Sequence, residues 1–264
     1  MNRRTLLLAG LAAPALFGLG ARASAEGTLA VQRSGRLRVA LEFGRPPWGY
    51  KDDALQPSGS DYDTALLLAK DLGVALEIVE VSGPNRVPIL LTDKADVVIS
   101  TFSITPERRK VVAFSVPYAS AVQYVAAPRT MELRQASDLS GQRVGVTRGT
   151  TGDGALTKLG DPTIEIVRFD DESTNMTAFA SGQVDVVVQE PAVIRKVAER
   201  NPERGIEQKF TLAEFPVGVG LRKENTELID YVDGWVRANV ANGKLNDIYR
   251  KYHGVDLPPS ILNG

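Results

Sequence analysis

The run from Arg36 to Ser100 constrains this chain most, because its apolar residues switch repeatedly between two periods. Leu37, Val39 and Leu41 alternate with Arg38, Ala40 and Glu42, as in a strand. Tyr62, Ala65, Leu66, Ala69 and Leu72 then fall at helical spacing, with Ser60 or Asp61 as cap and Gly73 as stop. Leu76, Ile78 and Glu80 begin a second strand, 84–91 reads as a short helix and 96–100 as a third strand. Strand-helix-strand-helix-strand predicts a parallel sheet covered on both faces, with ligands bound off the carboxyl ends of its strands. Residues 42–48, Asn85-Arg86 and 100–108 lie at those ends.

A second unit starts near Val122. Strands are expected at 143–147, 164–169 and 184–188, and helices at 173–181 and 191–200. The run 148–154, rich in Gly, opens another helix after the first of these strands. A strand over 215–221 and a helical tail over 226–253 follow, with Leu228, Tyr231, Val232, Trp235, Val236 and Asn239 as the tail's inner, core face. Two similar α/β units, with a tail long enough to return to the first, predict two lobes and a cleft.

The third strand runs through a polar corner into a helix whose first turn holds Thr105, Pro106, Glu107 and Arg108. Thr105 suits the N-cap and Pro106 the first helical position. Helix starts favour anions, so Arg108 and Arg109 are badly placed for helix stability. A guanidinium fork is useful there if a carboxylate is delivered to it. Ser100, Thr101 and Ser103 add hydroxyls. A capped surface helix with solvated arginines is the plainer alternative.

Composition narrows the function. A basic start with Arg3 and Arg4, an apolar Gly/Ala-rich stretch and Ala23-Ser24-Ala25 read as an export signal over residues 1–25, cleaved after about Ala25, with the paired arginines compatible with the twin-arginine route. The chain has 31 basic and 32 acidic residues. Cleavage removes Arg3, Arg4 and Arg22 and no acid, which leaves a net charge of about −4 and no basic patch for nucleic acid or anionic membranes. There is no cysteine, hence no disulfide, thiol nucleophile or lipid-modified cysteine, and the exported protein is expected free in the periplasm. A His/Cys zinc site or a Ser-His-Asp triad would have to be built on His253 alone. No metal or cofactor is implied.

Read in order, LRVALEFGRPPWGY, NRVPILL, DVVISTFSITPERRKVVAFSVPY, DLSGQRVGVTRGTTGDGAL, SGQVDVVVQEP, FPVGVGLRKEN and GKLNDIYRKYHG resemble family 3 solute-binding proteins, the periplasmic receptors of amino-acid ABC importers. The resemblance runs from about Leu37 to Gly254, and ITPERRKVVAFSVPY is its most specific motif. It implies an α/β periplasmic binding protein of type II-like fold: two lobes joined by two crossing strands near 121–126 and 215–219, closing on ligand by a hinge. Lobe one would be 36–121 plus 217–264, and lobe two 124–214. A monomer that meets an inner-membrane permease transiently is implied as well.

By position, the resemblance implies that Arg108 holds a ligand α-carboxylate, helped by Ser103 and backbone N–H groups at Thr150 and Thr151. Glu190 would hold the α-ammonium, and Ser100 and Thr101 would supply carbonyl or hydroxyl contacts. Two aromatic positions of many relatives fall here on Arg45 and Gly83. Arg45 and Arg86 together favour an acidic ligand; Glu42 stands where receptors for basic amino acids keep an acid. If Glu42 pairs with either arginine, the pocket is merely polar. Trp48 reads as a cleft wall or hinge core, or else as a ligand stack. A different class is an exported cyclohexadienyl or arogenate dehydratase, with Glu42 or Glu190 as general acid.

Overall fold

The computed structural model describes residues 29–263; the export-signal expectation lies outside them. The first sheet runs Ala75–Glu80, Arg36–Leu41, Val97–Val98, Gly220–Leu221, Ala113–Phe114. The first three strands are parallel, joined by the expected helix Ser60–Leu72 and the shorter Arg86–Leu91. The last two run antiparallel to their neighbours, so the sheet is mixed rather than parallel. Alternation fills both faces: Leu37, Val39, Val97 and Leu221 pack with the C-terminal helices, while Ala40, Val98, Phe102 and Phe114 pack on the other side.

The second sheet runs Glu165–Phe169, Arg143–Thr147, Val186–Gln189, Ala119–Pro128, Ile206–Val217. Val186 and Val188 enter one apolar cluster and Val187 the other. The last two strands are a long antiparallel ribbon, paired from Ala119–Val217 to Pro128–Ile206. One end of the ribbon, with Ala119, Ala121 and Val217, is buried in the first core; the other, with Val125 and Ala127, is buried in the second. The strand expected over 215–221 is divided between this ribbon, which runs from Ile206 to Val217 with two register shifts, and Gly220–Leu221 of the first sheet; polar Glu207, Gln208 and Lys209 mask the ribbon strand's start in the sequence.

The expected continuous tail is two helices, Thr226–Ala241 and Lys244–His253, broken at Gly243, which adopts φ 83°. The second returns to Ser60–Leu72, where Lys251 and Tyr252 both bond Asp63. Among the described residues no helix is long and apolar enough to cross a membrane.

Candidate functional site

The strand ends of the first sheet converge on a buried carboxylate that sequence reasoning treated only as a cap. Asp61 accepts from the Thr101 N–H at 2.7 Å, the Thr101 hydroxyl at 3.1 Å and the Tyr118 hydroxyl at 2.8 Å. These bonds hold Thr101 at φ 45°, a conformation that costs a β-branched residue about 1–2 kcal/mol. Burial raises the Asp61 carboxyl to about 6 against the pull of its donors.

The turned corner aims carbonyls inward. Arg86, 2% exposed, donates to the carbonyls of Ser100 at 2.9 Å, Thr101 at 3.2 Å and Gly83 at 2.9 Å. The Ser100 hydroxyl accepts from the Glu42 N–H at 3.1 Å. Thr105 caps as expected, accepting from the Arg108 N–H at 3.2 Å. The helix it opens, Pro106–Arg109, is a single turn, so its dipole is small and anion recognition rests on the Arg108 side chain. That guanidinium lies 4.8 Å from the Phe102 ring centre and donates to the Ser103 carbonyl at 2.8 Å and, across the cleft, to the Gly149 carbonyl at 3.0 Å. Burial lowers Arg108 to about 9 and Arg86 to about 10, with Arg86 and Arg45 as further causes in turn.

The second lobe presents its own corner. The helix Thr151–Leu159 begins inside the run 148–154, with Thr150 as N-cap on the Asp153 N–H. The Thr150 N–H bonds the Thr147 carbonyl at 3.3 Å, so this expected ligand donor is used within the turn. Thr151 Oγ1 meets Ser103 Oγ at 3.3 Å across the seam. Glu172, 1% exposed, accepts from the Thr147 hydroxyl at 2.9 Å and from Gln189 Nε2. Burial raises its carboxyl, with Arg45 opposing. Glu190, 2% exposed, is raised by burial to about 7, against Arg45 and with Glu172 and Asp61 adding to the rise.

Arg45 finds its acids in the second lobe rather than in Glu42. It crosses from the first lobe to bond Glu172 at 3.3 Å and Gln189 at 3.4 Å, and it lies 3.4 Å from Glu190. Burial works against its charge, but Glu172, Glu190, Glu42 and Asp61 outweigh that and hold its pKa above the usual arginine value. Glu42 is buried nearby without an ion pair to Arg45 or Arg86 among the described residues. Trp48, 2% exposed, packs edge-on to His253 at 4.5 Å and to Tyr249 at 5.8 Å, within the first lobe's apolar core.

The structure thus brings Glu42, Arg45, Arg86, Ser100, Thr101, Ser103 and Arg108 together with Thr150, Thr151 and Glu190. Sequence reasoning missed Asp61, Glu172 and Gln189. Asp61 and Glu172 stand in the first turns of helices, where an acid reads as a dipole complement; Gln189 was seen only as a strand end.

Residues 37–255 match the family described as bacterial extracellular solute-binding proteins, family 3. The L-cystine-binding protein of Escherichia coli (strain K12) is 29% identical over 260 residues, covering 96% of this chain and 97% of its own. A crystal structure of a mutant ArgBP from T. maritima aligns with TM-score 0.78 and 33% identity over 85% of this chain and 98% of its own. An ancestral amino acid-binding protein, described as a precursor of cyclohexadienyl dehydratase, aligns with TM-score 0.75 and 30% identity over 84% and 97%.

Proposed function

As the chain belongs to the bacterial extracellular solute-binding proteins, family 3, we propose that it captures a free amino acid between its lobes and delivers it unchanged to an ABC importer. The observation that carries this reading is Arg108, a half-buried guanidinium at the seam whose hydrogen-bond partners are the Ser103 and Gly149 carbonyls. A ligand α-carboxylate supplies the bidentate partner this fork suits. Ser103 and the helix start at Thr151 flank that position, and Glu190 takes the α-ammonium.

Arg45 has carboxylate partners; among the described residues neither Arg86 nor Arg108 makes an ion pair. Two such cations, Arg86 buried and Arg108 half-buried, favour an acidic ligand, or a polar one that accepts hydrogen bonds from Arg86. The protein acts as a monomer in the periplasm after loss of residues 1–25, by the twin-arginine or general route, and meets its permease transiently. One observation favours the dehydratase reading instead: a Glu190 carboxyl near 7 suits a general acid. Its engagement with Arg45 favours the charged form and a binding role.

Arg108→Ala should weaken ligand binding by about 3–5 kcal/mol, since the ligand carboxylate is left buried and unpaired. Titration calorimetry of wild type and variant measures this. Unchanged affinity would remove Arg108 from the site.

A further inference from the structure

Arg45 stands in the two-residue strand Gly44–Arg45, which pairs with Gly49–Lys51 in a small antiparallel sheet. A Cβ on Gly44 would meet Ser173 Oγ at 2.8 Å and Glu172 Cβ at 3.6 Å, so glycine lets this strand lie against the start of the helix Glu172–Ser181. The next side chain, Arg45, is thereby delivered against the second lobe, where it is 5% exposed.

The wall it meets is built without it. Glu172 accepts from the Thr147 hydroxyl at 2.9 Å and from Gln189 Nε2, and Gln189 Oε1 accepts from the Glu190 N–H at 2.7 Å. Glu172, Gln189 and Glu190 are each at most 2% exposed, and among the described residues no cation other than Arg45 pairs with either acid.

Arg45 fits this wall loosely. Its bonds to Glu172 at 3.3 Å and Gln189 at 3.4 Å are longer than the usual range of roughly 2.7–3.2 Å, and its buried Nε has no hydrogen-bond partner. Two buried acids need a cation, and here the protein's own side chain supplies it. Glu42 and Asp61 lie close enough to act on the same charge, so the cleft without Arg45 is an acidic one.

We propose that Arg45 is a specificity-determining residue: its guanidinium fills a cation site made by Glu172, Gln189 and Glu190, and so excludes amino acids with basic side chains. This rests on the reading that the ligand is a free amino acid with its α-ammonium at Glu190. Removing Arg45 empties the site and opens it to a ligand's side-chain ammonium or guanidinium.

Calorimetry on wild type, Arg45→Ala and Arg45→Gln tests it, with the common amino acids and the shorter basic amino acids L-ornithine and L-2,4-diaminobutyrate. Wild type is expected to bind an acidic or polar amino acid, and every basic one at least about tenfold more weakly. Arg45→Ala is expected to gain about tenfold or more for at least one basic amino acid, and to lose that gain when Glu172→Gln is added. Wild type that binds a basic amino acid as tightly as any other would overturn the proposal and leave the amino-acid reading standing. So would variants that bind with no gain for a basic ligand, or a gain that survives Glu172→Gln. Silence of wild type toward every amino acid would overturn the amino-acid reading alone if a variant still took a basic one, and both if none did. If the variants do not fold without ligand, thermal melts with the same panel read the result. Rescue by basic amino acids and not by the others supports the proposal; no such rescue overturns it.

Discussion

At the residue scale, the site is a balance of buried charges of which the sequence showed one side. The placing of Arg108, Ser103, Thr150 and Glu190 at the cleft could be read from the sequence because each stands at a strand end or cap; their part in binding belongs to the proposal above. Asp61 and Glu172 were not, since only tertiary burial separates them from ordinary first-turn acids. The chain's one histidine gives a clean test of such burial. His253 Nε2 lies 3.0 Å from the Ser60 hydroxyl, and burial, with Arg195 adding, lowers the ring from 6.5 to about 3. The unfolded chain then takes up this proton near 6.5 and the folded chain only near 3, so stability is lost as pH falls through that window. The stability difference between wild type and His253→Asn should be flat above about pH 7. Below about 6.5 it should move in the variant's favour by up to about 1.4 kcal/mol per pH unit. Denaturant melts across that range measure it, and a constant difference would contradict the burial argument.

At the scale of elements, Asp61 is the tie between the helix Ser60–Leu72 and the corner after Val97–Val98. In Asp61→Asn one carboxylate oxygen becomes a donor facing donors, and the Thr101 conformation loses support. A loss of about 2–4 kcal/mol in urea unfolding, with weaker ligand binding, is expected; wild-type stability would show that the tie is dispensable. The elements themselves were mostly legible, since periodicity marked Ser60–Leu72, Ala75–Glu80 and Pro191–Arg200. The misses have local causes. Gly243 broke the tail, Gly220–Leu221 and Ala113–Phe114 are only two residues each, and charged residues mask the start of Ile206–Val217.

At the scale of the whole molecule, Arg45 matters because its partners lie far off in sequence; Glu172 is 127 positions away. Pattern reading could place Arg45 at the cleft but not across it. Arg45→Met leaves Glu172 and Glu190 buried without their cation in the closed form, a cost of about 3–5 kcal/mol against closure. Small-angle scattering should show a larger radius of gyration for the ligand-free variant, while saturating ligand restores the wild-type value. An unchanged ligand-free radius would mean that Arg45 does not hold the lobes together.

The most direct measurement is calorimetry on the protein lacking residues 1–25, unfolded and refolded to remove carried-over ligand, against the common amino acids with prephenate and arogenate added. The expected result is saturable heat with an amino acid, an acidic or polar one foremost, recovered chemically unchanged. No heat from any amino acid, with prephenate or arogenate consumed, would contradict it and make Glu190 the general acid of an enzyme.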